Sequence, residues 1–333
     1  MKIYRNIKLA KYTTFHIGGR AEFFAKIKNI DDIKKAVKFA NKNNLKIFVL
    51  GGGSNILLPD RDMKVFILKI DIKGVSFKNT RIFVGAGERW DYIVARAIQK
   101  NLGGMENLSL IPGSVGGAVY QNIGAYGVEL KDILESVEIM DLKTLKVGVL
   151  TNKGCRFDYR ASIFQEPKGE NYIILKAVFK LSKNHVPNIS YPDLIKYFES
   201  KKSSIQEIRK AVIQIRKSKL EYPTAKIGTA GSFFKNPIIS SESYQLLVAD
   251  YQDLKGKDFG NGLIKLSAGQ LIEQVGLRGK KLGNAGVSKK HALVLVSYPS
   301  GKSADIIKLA RLIQKSVKVK FNISLEPEVN IMA

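Results

Sequence analysis

Residues 103–127 read GGMENLSLIPGSVGGAVYQNIGAYG. Glycine recurs too often for a regular helix, and the stretch is too apolar for a flexible linker. Something other than its own periodicity must order it. Its middle, Ile111-Pro112-Gly113-Ser114-Val115-Gly116-Gly117-Ala118, has an upstream counterpart in Leu50-Gly51-Gly52-Gly53-Ser54-Asn55. Glycines let backbone N–H groups approach a pyrophosphate, and serine or asparagine adds a side-chain donor. One such cluster reads as a tight turn. Two, each after an apolar run in the same half of a chain, favour a dinucleotide held outside a Rossmann fold.

Around these loops, helices and strands alternate. Asn29 can cap a helix over residues 30–43, with Asp31 and Asp32 in its first turn and Ile33, Ala36, Val37 and Ala40 as its apolar stripe. Residues 46–50 and 65–70 read as strands, and 75–78 with 81–84 as a hairpin turning at Asn79-Thr80. A helix is expected over 90–101, stopped near Gly103. Further strands are expected over 137–142, 146–150 and 172–181. The polar residues 182–190 read as a domain boundary. Beyond it, Ser204 with Glu207 and Ser267 with Gln270 make two capping boxes. Residues 292–298 form a short buried strand, a helix starts at Ser303, and the last strand falls near 328–332. No internal repeat or low-complexity tract is visible.

The chain has 333 residues, enough for two or three domains. One cysteine, Cys155, excludes an internal disulfide and multi-cysteine metal sites, and its surroundings read as apolar packing. His16, His185 and His291 are too dispersed for a zinc pair, so no metal site is expected. No apolar run approaches the roughly 18 residues of a membrane span. Residues 1–14 lack the apolar core of a signal peptide, so the expected location is cytoplasmic. Lysine and arginine total 55 against 29 acids, a net charge of +26. Nucleic-acid binding and compositional drift compete as explanations. The basic residues are scattered, as in Lys34, Lys35, Lys38, Lys42 and Lys46, which favours drift and no nucleic-acid partner.

Two motifs are decoys. VGAGERW, residues 84–90, has a G-x-G after a strand, but Trp90 stands where the third glycine belongs. SGKS, residues 300–303, resembles the end of a phosphate loop, but Val296 occupies the position of its leading glycine.

In order along the chain stand TTFHIGG (13–19), LGGGSN (50–55), ENLSLIPGSVGGAVYQNIGAYGVEL (106–130), CRFDYRASIF (155–164), GSFFKNP (231–237), SAGQLIEQVGLRG (267–279) and LEPEV (325–329). Together they resemble the UDP-N-acetylenolpyruvoylglucosamine reductase family, from Tyr12 to Met332. Tyr191-Pro192-Asp193-Leu194 resembles the tyrosine-bearing loop of its type I subgroup. The resemblance implies an α+β protein. A two-lobed FAD-binding unit of the vanillyl-alcohol-oxidase type would occupy 1–72 and 73–182, with the break near 71–74. A smaller α+β substrate-binding domain would occupy 200–323, and 324–333 would return as a strand to the active site. It implies noncovalent FAD, NADPH as hydride donor and a UDP-sugar substrate, in a monomer serving peptidoglycan synthesis.

Residue by residue, the family's carboxylate-binding arginine matches Arg160, its proton donor Ser232 and its catalytic glutamate Glu328. Taken alone, Arg160 would read as a surface ion pair and Ser232 as a turn residue. Cofactor contacts are implied at Gly51, Gly52, Gly53, Ser54, Asn55, Ile111, Pro112, Gly113, Ser114, Gly116, Gly117 and Ala118. Substrate contacts are implied at Tyr191, Lys219 and Asn236, with Arg216, His291, Tyr126 and Tyr159 as further candidates. Asn330 and Ala333 replace a common basic residue and a glycine after LEPEV, and His16 replaces an arginine or glycine. Another oxidase or dehydrogenase of the same flavin fold is the alternative, and the Arg160, Ser232 and Glu328 set argues against it.

Overall fold

A computed structural model describes residues 1–199 and 203–332. The chain divides into two compact units that interleave in sequence. The first comprises Met1–Ile7, Ala21–Gly53 and Met63–Lys217, and the second Lys8–Arg20, Ser54–Asp62 and Ser218–Ala333.

The first unit is built on two sheets. One orders its strands Ile3–Lys8, Arg20–Ile27, Met63–Ile70 and Lys46–Leu50. Strand Met63–Ile70 runs parallel to both Arg20–Ile27 and Lys46–Leu50. Its burial is nearly continuous, as expected of a strand covered on both faces. The helix Ile30–Lys42 starts as its cap predicts: the Asn29 side chain accepts the Asp32 N–H at 2.9 Å, and Ile33, Ala36, Val37 and Ala40 are buried. The second sheet is antiparallel, ordered Val147–Thr151, Leu134–Asp141, Tyr172–Lys180, Arg81–Gly85 and Val75–Lys78. The expected hairpin closes through Asn79, whose φ of +53° suits asparagine. Trp90 opens the helix Trp90–Gln99, fully buried, its Nε1–H donating to the Leu108 carbonyl at 2.9 Å.

The decoy VGAGERW has a packing explanation. A Cβ on Gly85 would lie 2.4 Å from the Ile72 oxygen, and one on Gly87 2.6 Å from the Ile72 nitrogen. These glycines let two backbone segments touch. Residues 182–190, expected as a boundary, lie within the first unit. His185 Nε2 reaches buried Glu106 at 2.8 Å, and Asn107 Nδ2 donates to the Asn188 carbonyl. Helix Ile205–Lys219 is tied to the same unit by Arg209, which donates to both Asp91 oxygens at 2.7 and 3.0 Å. The polar side chains that marked a boundary there are spent on tertiary bonds.

The second unit holds a four-stranded sheet ordered Gly228–Ser232, Val294–Ser297, Ala285–Val287 and Lys281–Leu282, and a three-stranded sheet of Ile238–Ser240, Leu263–Leu266 and Gly256–Gly260. The 19-residue helix Ser303–Phe321 buries Ile306, Leu309, Ala310, Ile313 and Val317. At the SGKS decoy, the Ser303 N–H and hydroxyl both donate to the Asp60 carboxylate, at 2.9 and 2.7 Å. The Ser204–Glu207 box forms in both directions. The Ser267 box forms by half: the serine accepts the Gln270 N–H, while the Gln270 side chain turns away to the Asp253 carbonyl. The last strand is shorter than expected. Asn330–Ile331 pairs parallel with Ile56–Leu57, and Glu328 is spent on a different partner.

Candidate active site

In the first unit the two glycine loops meet backbone to backbone. A Cβ on Gly52 would stand 2.5 Å from Gly113 Cα and 2.8 Å from the Ser114 nitrogen. A Cβ on Gly51 would stand 3.0 Å from Ser114 Oγ. Only residues without side chains allow this approach. Ser114 caps the short helix Val115–Tyr120 by accepting the Gly117 N–H, and Val115 and Ala118 turn inward. The N–H groups of Gly52, Gly53 and Gly113 make no hydrogen bond among the described residues. Two loops thus converge with backbone donors to spare, an arrangement that fits a dinucleotide's diphosphate.

Arg160 sits at the tip of a tight turn closed by reciprocal hydrogen bonds between Asp158 and Ala161 at 3.1 Å. Its φ is +55°, a left-handed conformation uncommon outside glycine and asparagine. The strain is held from outside: its guanidinium donates to the Gly124 carbonyl at 2.6 Å and the Asn122 carbonyl at 3.4 Å, and lies 5.4 Å from the Tyr159 ring. Left-handed residues so over-determined concentrate at functional sites. Asn122 fixes the turn. Fully buried, it donates to the Asp158 carbonyl at 2.9 Å and accepts the Lys131 N–H at 3.0 Å. No motif marks Asn122 by itself, although an asparagine in an apolar glycine-rich run signals a required hydrogen bond.

Tyr126 and Tyr191 come together edge to face, ring centres 5.1 Å apart. Tyr126 also packs on the small core formed by Leu194, Ile208, Ala211, Val212 and Ile215. The next residue, Arg216, has a buried Nε with no partner among the described residues. Asn107, likewise unmarked, ties this corner together: its Nδ2 donates to the carbonyls of Tyr126 and Asn188, both at 2.8 Å.

In the second unit the structure pairs the segment that follows Ser232 with the segment around Glu328. The Glu328 N–H donates to the Phe233 carbonyl at 2.8 Å, and the Lys235 N–H to the Glu326 carbonyl at 2.9 Å. Asn55 Nδ2 donates to the Glu328 carbonyl at 2.9 Å, so the end of LGGGSN supports the same strand. Both Ser232 and Glu328 are half-buried. Ser232 Oγ has no hydrogen-bond partner among the described residues, which leaves its proton free for a substrate. Gly231 before it has φ +76°, and the ladder to Val294 is irregular there, turning the serine out of strand register.

The remaining positions are more committed. Asn236 Oδ1 accepts the Ala268 N–H at 3.0 Å, which leaves its amide hydrogens for a ligand. His291 Nδ1 accepts the Leu293 N–H at 3.2 Å, and its ring lies near Gly269 of the same helix start. Lys219 is exposed at the end of its helix. His16 is exposed, left-handed at φ +58°, and lines a cavity of about 510 Å³ with Arg20 and Lys226. Asn330 donates through its backbone and side chain to the Asn55 carbonyl, both at 3.2 Å. Ala333 lies outside the described residues. Cys155 is fully buried, and burial pushes its thiol up to about 12, in keeping with a packing role.

Comparison with known proteins is consistent across the chain. Residues 21–144 match the model of an FAD binding domain, and 222–332 that of the UDP-N-acetylenolpyruvoylglucosamine reductase C-terminal domain. The chain is 39% identical to the UDP-N-acetylenolpyruvoylglucosamine reductase of Flavobacterium johnsoniae, with 100% of both chains covered. It is 40% identical to that of Buchnera aphidicola, again over 100% of each. A solved UDP-N-acetylenolpyruvylglucosamine reductase from Thermus caldophilus superposes with a TM-score of 0.71 at 26% identity, covering 100% of both chains. No helix among the described residues is long and apolar enough to cross a membrane.

Proposed function

The chain belongs to the UDP-N-acetylenolpyruvoylglucosamine reductase family, and we propose that it reduces the enolpyruvyl ether of UDP-N-acetylenolpyruvoylglucosamine to UDP-N-acetylmuramate, using NADPH, for peptidoglycan synthesis. The observation that carries this is the pairing of the segment that follows Ser232 with the segment around Glu328, with a free serine hydroxyl, in a chain that also brings two glycine loops together. FAD, when bound, supplies the hydride chemistry, accepting from NADPH and delivering to C3 of the enolpyruvyl group. Its diphosphate suits the donors of Gly51–Asn55 and Ile111–Ala118. Residues 1–72 and 73–182 act as its two lobes. Residues 200–323 bind the UDP-sugar, and 324–333 bring Glu328 to it.

Arg160 holds the substrate carboxylate and stays charged as negative charge grows there. Its hydrogen bonds to the Asn122 and Gly124 carbonyls fix the guanidinium in place. Ser232 delivers a proton to C2, a strongly basic carbon once hydride has reached C3. Glu328 helps to stabilise the enolate. Lys219, Arg216, Tyr191 and Asn236 hold the UDP diphosphate and sugar, with Tyr126, Tyr159 and His291 at their edges. The protein acts as a cytoplasmic monomer without nucleic-acid partners, its charge of +26 favouring an anionic substrate.

The test is the visible spectrum of the purified protein. A flavin spectrum bleached by NADPH under nitrogen and restored by the enolpyruvyl sugar is expected. A colourless protein that takes up no added FAD would refute the proposal.

A further inference from the structure

Lys69 has no part in the chemistry above, and no motif drew attention to it. It lies on strand Met63–Ile70, where its register partner is Leu50, the residue just before the first glycine loop. Its side chain is half-buried, and its Nζ donates to the Gly51 carbonyl oxygen. Burial pushes the ammonium below the ordinary lysine value; Asp71 opposes that shift, while Lys73 and Lys26 reinforce it. Lys26 is its register partner on the other side, in strand Arg20–Ile27. A cation kept in this place needs a compensating acceptor, and the Gly51 carbonyl is that acceptor.

A trans peptide holds its C=O and N–H in one plane, pointing in opposite directions across the C–N bond. Holding the Gly51 oxygen therefore aims the Gly52 N–H away from Lys69. That N–H makes no hydrogen bond among the described residues, and Gly52 lies directly against Gly113 of the second loop. Three successive glycines have no side chains with which to fix their own peptide planes.

We propose that Lys69 is a positioning residue for the flavin: its bond to the Gly51 carbonyl locks the Gly51–Gly52 peptide so that the Gly52 N–H is presented to the FAD diphosphate. This rests on the flavin reading above. Lysine acts through the loop, with its charge strengthening both the bond and the attraction of the diphosphate.

The experiment compares wild type, Lys69→Met and Lys69→Arg as holoenzymes. Flavin release on dilution is followed by free-flavin fluorescence from pH 7 to pH 10, with thermal melting of each variant alongside. Lys69→Met keeps the aliphatic stem and loses the donor, so its FAD Kd should rise about ten- to a hundredfold, as for a lost hydrogen bond to a charged group. Lys69→Arg should restore most of that affinity. Wild-type affinity should weaken toward pH 10 as the ammonium loses its proton, while Lys69→Arg stays flat. Wild-type affinity in Lys69→Met would overturn the proposal. So would a flat wild-type pH profile together with equal losses in both variants, which would reduce Lys69 to packing. Should Lys69→Met fail to fold, the wild-type and Lys69→Arg profiles decide alone. A wild-type protein that takes up no FAD would overturn the flavin reading, and this proposal with it.

Discussion

Replacing Gly52 by alanine adds one methyl group where two backbones already touch. The new Cβ would stand 2.5 Å from Gly113 Cα, 2.8 Å from the Ser114 nitrogen and 2.9 Å from the Gly113 carbonyl carbon. Comfortable carbon contacts begin near about 3.5 Å, so the loops must part by roughly 1 Å. All three atoms are backbone, and Ser114 is anchored as a helix cap, so no side-chain rotation relieves the clash. Overpacking of this kind costs about 1–3 kcal/mol. If the cost falls on the arrangement that binds flavin, FAD Kd rises about five- to 150-fold. Gly51→Ala meets only Ser114 Oγ closely, at 3.0 Å, with its next neighbours at 3.8 Å, and should cost less. Gly148→Ala, whose nearest neighbour would be Ile139 Cγ1 at 3.9 Å, is the control and should change nothing. Titration of flavin-stripped protein with FAD, followed by flavin fluorescence, gives the three Kd values. Wild-type affinity in Gly52→Ala, or an order of losses other than Gly52, Gly51, Gly148, would refute the argument from backbone contact.

Ser232→Ala should leave flavin reduction by NADPH near its normal rate and slow reoxidation by the enolpyruvyl substrate by about two to four orders of magnitude, the range for a lost general acid; stopped-flow absorbance separates the halves, and equal slowing of both would make the serine structural. Asp91 is desolvated, which raises its pKa, but the Arg209 guanidinium and the Leu110 N–H more than offset this and hold it below the usual carboxylate value. Its stabilisation is therefore complete above the unfolded value of about 4 and is lost as pH falls through the folded one. Asp91→Asn should lower Tm at pH 7 and flatten its decline below pH 4, and an unchanged acid limb would count against the pair. For Cys155, burial raises the thiol to about 12, so its contribution is complete below the unfolded value of about 8.5 and is lost as pH rises from there toward 12. Aromatic disulfide reagents at pH 8 should label it only as fast as the protein opens, and rapid labelling of the native chain would contradict its burial.

Local rules read from the sequence determined much of this protein. The Asn29 cap, the apolar stripe of the first helix, the hairpin at Asn79 and the Ser204–Glu207 box all depend on residues within a few positions of one another, where propensity and hydrogen bonding act without the rest of the chain. The glycine clusters were legible because nothing else explained their composition, and the resemblance of ordered motifs pointed to Arg160, Ser232 and Glu328 for the roles proposed above. What the loops touch was not legible. That Gly52 lies on Gly113, that Lys69 holds the Gly51 carbonyl, and that Asn122 braces the arginine turn are contacts between residues distant in sequence. Composition also did not show which partners the polar side chains of residues 182–190 take, and it misread Gln270 as a reciprocal cap. A polar side chain has many possible partners, and only the packed neighbours decide which one it takes.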